Sequence, residues 1–515
     1  MKHPPTLAPL AAPRGRVSRS GRPFTTGMNI PPRSLRSLPP GGRVNRPGRP
    51  FPIDMAPRAT TATDANVLRV RMYRVGFGDF FLLTVPTRSG PQHILIDCGV
   101  HAANIGTMRD CVADLVAVTK RKLALVIVTH YHADHLSGFA TQYDEFAQFD
   151  VGAVWITNRL DPGDARVATF KRRLTAVASH LRLQLQLRLR LALDDDVALA
   201  TRQALAKVED ALGVGHPVAG SANEKALDLV TKGFRNAPPV HYYEAGDEPA
   251  LPPALKGSVT AEILGPSPKA SAGEFAASDD RLEQYLAAVA QNGLPEQGAF
   301  PPFERAWPAT AADYPREAFR PWNAPAAMEK ALQALQPDTL AAAAELIDGT
   351  LNNQSLAVLF TCRKRKLLFV GDAQWGNWAY WLYGRAVKGK APALSDRARR
   401  ILASVDFYKV GHHGSTNATP ISVVGALAAG CAAMCSTETG YPSRKRTYGS
   451  VKAKTEVPRT ALMEALEKRT RQKLVRSDWI AAGDAPASPE ARAELAKLPA
   501  NFIAGANHID YVFPD

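Results

Sequence analysis

The run Leu123-Ala124-Leu125-Val126-Ile127-Val128 is followed at once by Thr129-His130-Tyr131-His132-Ala133-Asp134-His135. A short apolar, partly β-branched stretch reads as a strand buried on both faces. The residues that follow it bring three imidazoles and a carboxylate to the point where a core strand gives way to a loop. These side chains are ligands suited to zinc and similar divalent ions, and a strand end holds them rigidly while leaving one side open to water. Four potential ligands in six residues is far denser than 12 histidines in 515 residues would produce by chance. The chain is therefore expected to build a metal site around a buried sheet.

The text before this loop alternates strand and turn. Val67 to Tyr73 reads as a half-exposed strand, Val75-Gly76-Phe77-Gly78-Asp79 as a tight glycine turn, Phe80 to Val85 and His93 to Cys98 as two further strands. Asp97 closes the last of these; it either orients the histidine loop from behind or serves as a turn aspartate. Residues 108–121 read as a crossover helix, and Val151 to Ile156 as the next strand. From Asp164 to about Phe234, Ala, Leu, Arg, Lys and Asp dominate and favour helix. Within that stretch leucine takes every odd position from Leu181 to Leu193. Period two argues for a strand, whereas Leu, Gln and Arg and the flanking text argue for a helix. Arg182, Arg188 and Arg190 on this run either line a substrate groove or form a solvated face.

Residues 240–265 return to strand-like text. A second insertion, about 268–348, has helical pieces around Arg281 to Gln291 and Ala326 to Ile347, with Trp307 and Trp322 on the loop between them. Polar residues then recur at strand ends. Asn352-Asn353-Gln354-Ser355 precedes an apolar strand, Leu367 to Val370 runs into Gly371-Asp372, and Val405 to Val410 runs into Gly411-His412-His413-Gly414-Ser415. Histidines and aspartates spread over three strand ends suit a pair of cations, which no single loop can easily surround. Towards the C-terminus, Val423 to Met434 reads as a helix and a core strand, Pro458 to Lys473 as an amphipathic helix, and Asn501 to Ile503 and Tyr511 to Phe513 as closing strands. The loop Ser443 to Arg446 is basic.

Charge and composition limit the rest. The formal net charge is +15, and residues 1–58 carry eleven Lys and Arg against the single acid Asp54. That proline- and glycine-rich arm, residues 1–60, has too little apolar surface to offset its chain entropy and is expected to be disordered. Either it touches nucleic-acid phosphates or it is a low-complexity leader. The folded part is expected over residues 61–515, with insertions at about 160–238 and 268–348. Five scattered cysteines give no disulfide framework, no apolar run approaches the ~20 residues of a membrane span, and the N-terminus lacks a secretory core; a reducing, cytoplasmic setting is the expectation.

The motifs at Val75 to Asp79, Ile94 to Gly99, Thr129 to Gly138, Asn352 to Ser355, Gly371-Asp372 and Lys409 to Ser415 fall in the order of the metallo-β-lactamase superfamily. The sequence resembles those hydrolases, and within them the soluble hydrolase domain of ComEC-type DNA-uptake proteins. The resemblance implies an αββα sandwich, here with two mainly helical insertions. It also implies His130, His132, Asp134 and His135 as ligands, Asp372 as a bridging carboxylate, and a late histidine completing the second site. His413 fits that pattern better than His412. Two divalent ions, zinc or manganese, follow from it, with Asp134 orienting the attacking hydroxide and His412 or Lys409 assisting the leaving group.

In two places the sequence departs from the pattern. Many members supply another histidine between the first loop and the Gly-Asp strand, where this chain has Asn352, Asn353 and Ser355; His241, earlier, either substitutes for it or, the reading favoured, is a strand-surface residue. One ion is therefore expected to be held more loosely. ComEC-type domains often carry a His-Pro pair later, and the counterpart here is Glu456-Val457-Pro458. The leading function is a phosphodiesterase acting on nucleic acid. A small-molecule ester, lactone or β-lactam hydrolase is the second reading, and a degenerate-site nucleic-acid-binding protein the third.

Overall fold

The structure is a computed structural model that describes residues 67–102, 108–191, 195–268, 337–383, 393–439, 457–482 and 487–514. The N-terminal arm, the helical piece at 281–291, Trp307, Trp322, the basic loop 443–446 and Glu456 lie outside the described residues.

Two sheets form the interior. The larger contains β1 (Arg69–Tyr73), β2 (Phe80–Thr87), β3 (Gly90–Cys98), β5 (Leu125–Val128), β7 (Val154–Thr157), β8 (Val240–Tyr243), β15 (Phe502–Ala504) and β16 (His508–Val512), in the order β15-β16-β1-β2-β3-β5-β7-β8. The smaller runs β14-β13-β12-β11-β10-β9, from Leu474–Arg476, Ala432–Cys435, Phe407–Lys409, Arg365–Phe369, Ala357–Cys362 and Val259–Gly265 respectively. A separate two-stranded ladder pairs β4 (Lys122–Leu123) with β6 (Asp150–Val151). Strands β3, β5, β7 and β8 are parallel neighbours, as are β11, β12, β13 and β14. Their carboxyl ends therefore open on one side of each sheet.

Strand alternation explains the unbroken apolar text. Leu125 and Ile127 face the smaller sheet, while Val126 and Val128 face the outer helices. The smaller sheet does the same: Val358, Phe360, Leu367 and Phe369 point at the larger sheet, and Leu359, Leu368 and Val370 point at the helices behind. The layer between the sheets is closed by aromatics, with Trp155 stacked on Phe360 at 6.3 Å and Phe369 edge-on to Phe81 at 6.2 Å. A strand buried on both faces has no polar positions to spare, and so polar chemistry can appear only at its ends.

Helices cover both outer faces. Over the larger sheet lie α1 (Met108–Thr119), α2 (Ala133–Thr141), the single turn α3 (Tyr143–Phe146), α4 (Ala165–Leu191), α5 (Asp195–Leu212), α6 (Ala222–Asp228) and α7 (Pro337–Asn352). Over the smaller sheet lie α8 (Trp375–Tyr383), α9 (Asp396–Leu402), α10 (Ile421–Ala426) and α11 (Thr460–Thr470). A last helix, α12 (Pro489–Leu495), precedes the closing strands. The layers are thus α, β, β, α, the sandwich expected from the sequence.

The leucine run resolves as helix through Leu191. At ~100° per residue, every second leucine changes face. Leu181 and Leu185 are buried, while Leu183 and Leu187 are 62% and 51% exposed. Helix α4 packs on α5, and α7 packs on both. The α5–α7 contact carries an ion pair from Lys207 to Glu345 at 2.5 Å and to Asp348 at 3.7 Å. All five cysteines are buried free thiols. Among the described residues no helix is long and apolar enough to cross a membrane.

Candidate metal centre

The carboxyl ends of β3, β5, β11 and β12 meet at one edge of the sandwich. Strand β5 delivers the histidine loop, and α2 begins inside that loop at Ala133, so Asp134 and His135 sit in its first turn. From the other sheet, Asp372 follows β11 and His413 follows β12. Six residues singled out from the sequence, His130, His132, Asp134, His135, Asp372 and His413, are all buried here. They form two overlapping groups, Asp134-His135-Asp372-His413 and His130-His132-Asp134, with one donor atom from each residue within 4.8 Å of the others in its group.

The spacing of the donors tests whether an ion fits. His413 Nε2 lies 2.8 Å from Asp134 Oδ2 and 3.2 Å from Asp372 Oδ2. His135 Nε2 lies 3.2 Å from Asp372 Oδ2 and 3.7 Å from Asp134 Oδ1. A tetrahedron with bonds of ~2.0–2.2 Å has edges of about 3.3–3.6 Å, so these atoms surround a space of the right size. In the other group, His130 Nε2 and His132 Nδ1 are 3.1 Å apart. The atoms Asp134 Oδ1, His135 Nε2 and His132 Nε2 are buried with no hydrogen-bond partner among the described residues. Buried polar atoms are normally satisfied, and a cation would satisfy the first two of these three. The donor set fits a divalent ion.

A further layer of contacts aims the rings. Asp97 Oδ2 accepts from His135 Nδ1 at 2.8 Å and from Thr129 Oγ1 at 2.7 Å, and Asp97 Oδ1 accepts from the Thr129 backbone N–H at 2.8 Å. Thr129 Oγ1 in turn accepts from His130 Nδ1 at 3.1 Å. The Ser436 carbonyl accepts from His413 Nδ1 at 2.9 Å. Each contact leaves Nε2 facing the cluster, which is how metal-binding histidines are usually oriented. Of the two roles open to Asp97, the structure gives it the orienting one. The glycine turn closes the edge: Asp79 N–H donates to the Asp134 carbonyl at 2.9 Å, and a Cβ on Gly78 would come within 2.4 Å of the Gly99 carbonyl oxygen. Phe77 lies against the His413 ring with centroids 4.3 Å apart.

His412 takes a different position. Its backbone N–H donates to Asp372 Oδ1 at 2.9 Å, while its ring turns away to Ser415 Oγ at 2.7 Å, Gln374 Nε2 at 3.2 Å and Asn352 Nδ2 at 3.3 Å. Both residues are left-handed, His412 at φ 42° and His413 at φ 50°, and only the His413 ring belongs to a donor group. Lys409 corrects an expectation. It is 2% exposed, ion-paired with Asp79 and Asp372 and bonded to the Gly371 carbonyl at 2.9 Å. An ammonium held this way braces the carboxylate of Asp372 and is not at hand for a leaving group. His241 lies in β8 with its ring stacked on Tyr243 at 5.9 Å and belongs to neither donor group. Of the arginines on the leucine run, Arg182 pairs with Glu209 at 3.0 Å.

Burial and charge set the protonation states. Burial holds His130 well below and His132 below the ordinary imidazole value, which keeps both neutral and ready to bind an ion. For His135 and His413 burial works the same way, but the carboxylates of Asp372 and Asp134 overcome it. His135 is held well above its ordinary value and His413 is pushed up to about 10. Burial also opposes the charge on Asp134 and Asp372, yet the facing rings of His135 and His413 hold both below the usual carboxylate range. Without an ion, protons balance the carboxylates; an ion must displace them.

His413 has a raised value in the folded chain, so its protonation stabilises the ion-free protein fully below ~6.5, its unfolded value, and that stability is lost as pH rises towards about 10. Chelator-treated protein should show a falling urea midpoint across this window, and His413→Asn should flatten the slope. A midpoint that does not change with pH in both proteins would contradict the assignment.

Sequence reading missed Asp210 and Asp348, both buried and carried by α5 and α7. Asp210 Oδ1 accepts from the Asp134 backbone N–H at 3.1 Å, and Asp348 Oδ2 lies 3.9 Å from His412 Nε2. Neither sits in a recognisable motif. The only signal was an acid within, or at the end of, a stretch whose composition favours helix.

Residues 75–141 match the family model described as the Metallo-beta-lactamase superfamily. That segment runs from the glycine turn through the histidine loop to the end of α2. The chain matches none of the curated proteins. The match over residues 75–141 and the His/Asp cluster support a metal-dependent hydrolase, and the α, β, β, α layers are consistent with the metallo-β-lactamase α/β fold.

Proposed function

We propose that the protein is a phosphodiesterase that cleaves nucleic acid with a water activated by two divalent ions, zinc or manganese. The observation that carries the hydrolytic reading is the convergence of His130, His132, Asp134, His135, Asp372 and His413 from two sheets on one buried space. The substrate reading is supported by the sequence resemblance to ComEC-type hydrolase domains and by a net charge of +15, which favours a polyanion.

When bound, the ions supply a water acidic enough to deprotonate near neutral pH and positive charge for the oxygen that becomes anionic. The chain's own residues do the rest. Asp134 belongs to both donor groups, and its Oδ1 lacks a hydrogen bond among the described residues, which suits it to orient the attacking water. Asp372 spans the two histidines of the second group and is braced by Lys409. The His412 ring, less buried than its neighbours, would donate a proton to the departing oxygen, with Asn352, Ser415 and Gln374 steadying it.

The test uses full-length protein with zinc or manganese, given single-stranded DNA, duplex DNA and RNA beside nitrocefin and a lactone. Cleavage of nucleic acid that EDTA abolishes is the expected result. Cleavage of nitrocefin or lactone alone would replace nucleic acid with a small-molecule substrate. A protein that binds DNA, takes up no ion and cleaves nothing would be a binding protein.

A further inference from the structure

The two donor groups are unequal. The second has four side-chain donors, Asp134, His135, Asp372 and His413. The first has only His130 and His132 besides the shared Asp134. Hydrolytic zinc sites usually provide three protein ligands per ion, so the strand-end loops leave the first ion one donor short of an unshared set.

The first insertion brings a carboxylate to that point. Asp210 lies in the last turn of α5 and is 7% exposed. Its Oδ2 is 3.9 Å from His132 Nδ1, the same nitrogen that stands 3.1 Å from His130 Nε2. Its Oδ1 takes the Asp134 backbone N–H at 3.1 Å, which fixes the carboxylate against the ligand loop. The helix is fixed too. Glu209 pairs with Arg182 of α4 at 3.0 Å, and Lys207 reaches Glu345 of α7 at 2.5 Å. Asn223 of α6 donates to the Tyr131 carbonyl at 2.7 Å and to the Asp210 carbonyl at 3.2 Å, tying loop and helix together. Asp134, shared by both groups and 5% exposed, has an Oδ1 with no hydrogen-bond partner among the described residues. Carboxylates buried beside one another need either a proton or a cation among them, and a bound ion would take the place of the proton.

We propose that Asp210 is a metal ligand, the donor that completes the first site beside His130 and His132. The first insertion is then part of the metal centre rather than an attachment to it. This rests on the metal-dependent hydrolase reading, and its test keeps the two apart. Full-length protein stripped with chelator is titrated with Zn²⁺ by calorimetry and with Co²⁺ by visible absorption, for wild type, Asp210→Asn, Asp348→Asn and Asp210→His. Wild type should take up two ions. Asp210→Asn should keep one and bind the other at least about tenfold more weakly, the scale on which loss of a metal-orienting contact is felt. Asp348→Asn should keep both. Asp210→His restores a donor and should recover two-ion uptake, which a purely structural aspartate would not allow; it also carries the test if Asp210→Asn loses its circular dichroism. Unchanged two-ion binding in Asp210→Asn, loss of an ion in Asp348→Asn instead, or single-ion uptake by Asp210→His would overturn the assignment. No uptake by wild type would overturn the hydrolase reading itself.

Discussion

Asp372→Ala is expected to lower hydrolysis by on the order of 10³-fold or more and to reduce ion content, while circular dichroism stays that of the wild type. Metal and electrostatic stabilisation of this kind is worth several kcal/mol, and each ~1.4 kcal/mol is tenfold in rate. Asp372 is the residue on which most of the centre depends. It faces His135 and His413 at 3.2 Å each, and it takes the His412 N–H and the Lys409 ammonium on its other oxygen. Removing it leaves Lys409 buried beside Asp79 with one counter-charge instead of two. Asp372→Asn keeps the shape and loses the charge, so it should share the loss of activity but cost less stability. A rate within tenfold of wild type for either variant would remove Asp372 from the chemistry.

The second large effect is on stability. Asp510→Ala should cost about 3–5 kcal/mol, read as a lower urea midpoint, because it strips a buried guanidinium of its main partner. Arg71 in β1 is 6% exposed and grips Asp510 in β16 through Nε at 2.7 Å and Nη2 at 2.8 Å. The pairing Arg71↔Asp510 is also a register position between those strands, so the last strand of the chain is pinned to the first of the sheet. Asp114 touches the same guanidinium at 2.5 Å but is 29% exposed, and Asp114→Ala should cost less. An Asp510→Ala loss below about 1 kcal/mol would show that the pair is not what secures the closing strand.

Much of this architecture was legible in the residues because each core strand writes a run that nothing else writes. Leu125 to Val128 and Leu367 to Phe369 are buried on both faces, so their text is apolar throughout and stops where the chemistry starts. The ligands at strand ends were legible for the same reason. Helix α8 was not foreseen. Its segment, Trp375 to Tyr383, is dominated by aromatics whose local preference is weak, and its helix is fixed by the packing of Trp378 and Trp381 under the smaller sheet. The leucine run carried two conflicting periods, and packing of Leu181 and Leu185 against the core settled it. Asp210 and Asp348 were beyond reach because their meaning is tertiary. They matter only once α5 and α7 are laid across the histidine loop, and no spacing within either helix announces that.

Four of the six residues around the central space hang from one sheet and two from the other. A cation held among them would therefore act as a rivet through the sandwich. Affinity for the ion and cohesion between the layers become a single quantity seen from two sides. A slack joint far from the edge, at Trp155 or Phe360, would loosen the grip on the metal without touching a ligand, and a tightly held ion would in turn firm up the whole interlayer.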